Sequence, residues 1–96
     1  MSCNLIIKEE ARQDMLQAYL YYEQERNGLG DLFLTMLEDR FTAISQHPEF
    51  YSFIDERKIL RDVTLYIFPF VIVFEKLNSD VIVYAICSTH RGPKSY

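Results

Sequence analysis

Phe70-Val71-Ile72-Val73-Phe74-Glu75, then Leu77-Asn78-Ser79-Asp80, then Val81-Ile82-Val83-Tyr84-Ala85-Ile86 is the stretch that decides the fold. Both flanking runs are β-branched and aromatic almost throughout, and the segment between them carries the Asn and Asp of a tight connection. That spacing predicts a β-hairpin. Apolar runs without alternation belong to strands covered on both faces or lying centrally in a sheet. Just upstream the pattern has period two: Ile59, Val63, Leu65 and Ile67 predict a third strand, which Pro69 ends. Arg61 falls on the same apolar face, where a guanidinium needs a partner. The candidates are Glu75 or Asp80 within the chain, or an external phosphate or carboxylate.

Before residue 49 the period changes to that of a helix. Ala11, Met15, Ala18, Tyr19 and Tyr22 recur at intervals of three and four, predicting a helix to about Arg26 that Asn27-Gly28 stops. Gly30-Asp31 announces a second helix with Phe33, Met36, Leu37, Phe41 and Ile44 on its inner stripe, ended by His47-Pro48. So short a connection predicts an antiparallel helical hairpin. Leu16, Leu20 and Tyr21 lie off the first helix's stripe, so that helix is either buried on two sides or carries a docking surface. Residues 3–7, short and apolar, form a first strand. The order is therefore β-α-α-β-β-β, an α+β fold with a helical hairpin packed on a small, mainly antiparallel sheet.

A chain of 96 residues with 49% hydrophobic and 25% charged content is one domain, residues 1–96. It can bury about two-thirds of its surface on folding. Its net charge is −4, unlike proteins that draw affinity from nucleic-acid phosphates. The charge is divided unequally. Residues 1–54 hold four bases and nine acids, net −5, and residues 55–96 hold six bases and five acids, net +1. An anion site is therefore expected in the second half, around Arg57, Lys58, Arg61, Arg91 and Lys94. Cys3 and Cys87 sit in apolar runs without zinc-site spacing and read as buried thiols. Lys8-Glu9-Glu10 interrupts the apolar start, and no apolar run reaches the ~18 residues of a membrane span, so a reduced, cytoplasmic protein with no membrane contact is expected. No Gly-rich phosphate loop, metal triad or paired carboxylates appear, and no cofactor or metal is implied. The final Ser88-Thr89-His90-Arg91-Gly92-Pro93-Lys94-Ser95-Tyr96 follows a strand directly. Here His90 is a candidate acid or base, Arg91 a candidate for stabilising charge, and Tyr96 a candidate proton donor or stacking ring.

The combined pattern resembles the RelE/ParE family of toxins from type II toxin-antitoxin modules, also called plasmid stabilisation proteins. The residues that carry the resemblance span most of the chain: Ala11…Ala18-Tyr19…Tyr21-Tyr22-Glu23, Leu29-Gly30-Asp31…Phe33, Ile44…His47-Pro48, Arg61-Asp62-Val63…Phe68-Pro69-Phe70, Ile82-Val83-Tyr84-Ala85 and Arg91-Gly92-Pro93. The resemblance implies a growth-inhibiting toxin masked by a cognate antitoxin protein, which would dock on Leu16, Leu20 and Tyr21 or on the exposed strand face. It also implies one of two targets. A RelE-like member cleaves mRNA at the ribosome without a metal, and Arg61, Arg91, His90 and Tyr96 would then be catalytic. A ParE-like member instead inhibits DNA gyrase and is no nuclease. The acidic balance favours the ParE-like branch, because long-range steering towards ribosomal RNA would be weak or repulsive. An inactive member that only binds antitoxin is the third alternative, and a homodimer is a further possible assembly.

Overall fold

The computed structural model of the chain describes residues 2–89. It places strand β1 at Asn4–Ile7, helices α1 at Glu9–Glu25 and α2 at Leu29–Gln46, a 3-10 turn at Pro48–Phe50, and strands β2 at Leu60–Thr64, β3 at Phe70–Leu77 and β4 at Asp80–Ser88. The expected order is present, and the sheet runs β1-β4-β3-β2. Its β2-β3 and β3-β4 pairs are antiparallel, while β1 lies parallel to β4, and the helical hairpin carries the chain from β1 at one edge of the sheet to β2 at the other. The β3-β4 hairpin turns through Asn78 and Ser79, and Asn78 takes the positive φ of 57° that such a turn requires. Among the described residues no helix is long and apolar enough to cross a membrane.

The core forms where the helix stripes meet one face of the sheet. Phe33, Leu37, Phe41 and Ile44 of α2 and Ala11 and Ala18 of α1 pack with Ile72, Phe74, Val81, Val83 and Ile86. At one end an aromatic cluster ties three elements together. Phe33 has ring centroids 5.5 Å from Tyr22, 5.3 Å from Phe68 and 5.2 Å from Phe70. The helices approach so closely at Gly30 that a Cβ there would lie 2.7 Å from the Tyr19 carbonyl oxygen and 2.8 Å from the Tyr19 ring. Glu23 holds the same corner. Its Oε1 accepts from the Gly28 and Gly30 N–H groups, satisfying two donors at the start of α2.

The second sheet face has no helix over it, yet Val73 is only 1% exposed. Within the sheet Val73 lies between Asp62 and Ala85, and burial by cross-strand neighbours explains its apolar character. The strand expected from Ile59 to Ile67 is shorter at both ends. Val63 and Leu65 are buried as the alternation requires, but Ile59 precedes β2, and Ile67 sits in the β2-β3 turn, 66% exposed with φ 80°. The cause is geometric: the chain must reverse between Thr64 and its β3 partner Val71, so Ile67 is forced out of extended geometry. A β-branched residue is strained there. Ile67→Gly is expected to raise stability by about 1 kcal/mol in urea denaturation, with the slope m unchanged; a lower midpoint would mean that the side chain packs.

Candidate partner-binding groove

Helix α1 presents its off-stripe residues to solvent. Leu16, Leu20 and Tyr21 are 57%, 49% and 58% exposed, so the choice left open by the sequence falls to an unburied second face. Leu16 and Leu20, four apart, form one row, and Tyr21 stands on the adjoining row beside a groove of about 400 Å³. That groove runs between α1 and the far ends of β3 and β4; Ala18 and Tyr22 line its helical side, Phe70 and Ile86 its sheet side. Its existence follows from the length of β1. Pairing with β4 covers only Asp80 to Val83, after which the chain turns into α1 and the edge of β4 is left without a neighbouring strand.

Asp14 manages this uncovered edge. Its Oδ2 accepts from the Ile86 N–H at 3.0 Å, standing in for the missing strand. Sequence reasoning missed Asp14, because the pairing spans 72 positions. Asp14→Ala leaves a buried strand amide unpaired, and we expect a loss of about 1.5–3 kcal/mol. Faster hydrogen exchange at Ile86 would accompany that loss, and unchanged exchange would show that water replaces the carboxylate.

The described members of the expected anion site are Arg57, Lys58 and Arg61. Arg61 Nη1 donates to the Tyr51 carbonyl oxygen at 2.7 Å, and the guanidinium lies 3.9 Å from the centre of the Phe53 ring. Its partners are therefore the residue 51–53 segment rather than Glu75 or Asp80. Glu75 accepts from the Tyr84 hydroxyl, and Asp80 accepts from the Asn4 side-chain amide. Arg57 sits 3.9 Å from Asp55 at the tight turn before β2, and Lys58 occupies the left-handed position of that turn at φ 59°. His90, Arg91, Lys94 and Tyr96 lie outside the described residues. Among the described residues no cluster of His, Cys, Asp and Glu could hold a metal ion.

Asp55 organises that turn: its Oδ1 accepts from the Ile59 and Leu60 N–H groups at 2.9 and 3.1 Å. Burial pushes its carboxyl upward, but these two bonds and Arg57 outweigh it, so the net direction is below the ordinary carboxylate value. A depressed folded-state value contributes stability above the unfolded value and loses it as pH falls through the folded one. Asp55→Asn is therefore expected to flatten the acid limb of the stability profile below about pH 4. An unaltered acid limb would assign that dependence to other carboxylates.

No protein-family model matches the chain, and no curated protein matches it. A solved chain of the chromosomal ParDE TA system from P. aeruginosa superimposes with a TM-score of 0.79 at 16% identity, covering 91% of this chain and 96% of that one. At that identity the likeness speaks to architecture alone. The strand, two helices and three-stranded remainder of the mixed sheet thus form the RelE/ParE-like α+β fold.

Proposed function

We propose that this protein is the toxin component of a type II toxin-antitoxin system, neutralised by a cognate antitoxin, and that it acts as a ParE-like inhibitor of DNA gyrase rather than as a nuclease. The observation that carries the reading is the ParDE architecture over 91% of the chain, together with a solvent-facing apolar row on α1. An unpaired row of this kind beside a groove fits the helix-in-groove and strand-addition modes by which flexible protein segments are captured. The antitoxin docks on Leu16, Leu20 and Tyr21 in this reading.

The non-nuclease branch draws its support from electrostatics. Metal-free RNA cleavage needs cations aimed at a phosphate, whereas Arg61 is taken up by Tyr51 and Phe53 and Arg57 lies beside Asp55. The net charge of −4 further opposes association with ribosomal RNA. Purified protein is expected to block negative supercoiling by gyrase, and addition of antitoxin to restore it. Full supercoiling at stoichiometric excess of the protein would overturn the gyrase assignment. If cleaved transcripts appeared in translating extracts instead, the nuclease branch would replace it.

A further inference from the structure

The uncovered sheet face holds a second concavity, unrelated to the α1 groove. It is an open cleft of about 500 Å³ whose floor is apolar, made by Leu60, Val73 and Ala85, with Ile59 at its side. Two polar side chains stand on that floor as a unit: the Tyr84 hydroxyl donates to Glu75 Oε1 at 2.6 Å. The bond to the carboxylate, reinforced by burial and by the carboxylate's charge, raises the Tyr84 phenol above its ordinary value, so it remains a donor at neutral pH. Glu75 is half-buried, forms no ion pair, and keeps Oε2 without a protein donor among the described residues. Arg57, at the rim, is 75% exposed and lies beside Asp55.

A carboxylate on an apolar floor, with one oxygen unspoken for and an aromatic ring beside it, is complementary to a flat cation on an apolar stem. A guanidinium fits best: it donates in a fork to a carboxylate and stacks on an aromatic face, while its methylenes lie on apolar surface. A lysine ammonium is a compact, strongly hydrated charge and gains less from the ring. The same floor repels phosphate. We infer that the cleft over Val73, Glu75, Tyr84 and Ala85 is a seat for an arginine side chain carried by a protein partner. This inference does not depend on the toxin assignment, and it uses a different face from Leu16, Leu20 and Tyr21.

The test uses the whole protein and three small probes: the N-acetyl methylamides of arginine, lysine and citrulline. Citrulline keeps the shape of arginine without its charge. In amide NMR titrations at millimolar concentration, the arginine probe is expected to shift Val73, Glu75, Tyr84 and Ala85. The lysine probe should bind several-fold more weakly, and citrulline should leave these signals in place. Glu75→Gln is expected to weaken the arginine probe at least tenfold. Tyr84→Phe, which frees the second carboxylate oxygen but keeps the ring, should retain the preference for arginine over citrulline. No shifts at these four residues, equal binding of citrulline, or undiminished binding to a folded Glu75→Gln variant would each overturn the site. Loss of toxicity or of antitoxin binding would leave these outcomes unaltered, so the two readings fail separately.

Discussion

Phe33→Ala is expected to cost about 3–5 kcal/mol, which is a large part of what a domain of this size has. The reason is position as much as size. Phe33 is fully buried on α2, and its ring meets Tyr22 of α1, Phe68 of the β2-β3 turn and Phe70 of β3. Aromatic pairs of this geometry add about 0.5–1.5 kcal/mol beyond the area they bury, and truncation removes three at once. The cavity would open where helices and sheet join, on ground set by the Gly30 approach, so neighbours have little room to collapse into it. Urea denaturation should show the midpoint falling sharply at constant m, while Phe33→Leu loses a smaller part. A loss for Phe33→Ala below about 1 kcal/mol would mean that the cluster does not join the layers as described.

The second large effect is on binding. Leu16→Glu combined with Leu20→Lys replaces the exposed row by an i,i+4 ion pair in its favourable order, so the helix should gain a few tenths of a kcal/mol rather than lose stability. Apolar anchors at the centre of an interface are commonly worth about 2 kcal/mol or more each. Affinity for the cognate antitoxin should accordingly fall by about 10²–10³-fold in calorimetric titration while the thermal midpoint holds. Unchanged affinity in the folded double variant would move the antitoxin surface away from α1.

How much of this was legible in the sequence depended on whether the signal was local. The helices announced themselves through repeated three- and four-residue spacing, and His47 caps the end of the second as expected, whereas Gly28, expected to stop the first, is the left-handed N-cap of the second, the first ending at its cap Arg26. The β3-β4 hairpin was legible because unbroken apolar runs flank a turn that Asn78 can make. The strand at Leu60–Thr64 was overextended because period two continues through Ile67, and nothing in a string of residues says where the chain must turn to pair Thr64 with Val71. Long-range pairings were out of reach altogether. Arg61 was correctly singled out as needing a partner, but the Tyr51 carbonyl oxygen and Phe53 ring carry no charge to betray them. Asp14 meeting Ile86 left no periodic trace. The Tyr84 and Glu75 pair lay hidden for another reason: they belong to runs whose apolar neighbours dominate the pattern, and a shift of register between Val73 and Phe74 alters which residues of β4 face them.

The net charge of −4 gains a spatial meaning from the structure. In the second half Arg57 lies beside Asp55 and Arg61 against Tyr51 and Phe53, and the uncovered sheet face offers the Glu75 carboxylate. A protein partner suits that surface better than a polyanion does.

The most direct measurement is growth of cells in which the protein is induced alone or together with any small protein that a neighbouring reading frame encodes. Growth arrest is expected on induction alone, with recovery when an antitoxin is co-produced and co-purifies with the protein. Undisturbed growth with abundant folded protein, or arrest that the partner does not relieve, would contradict the toxin assignment.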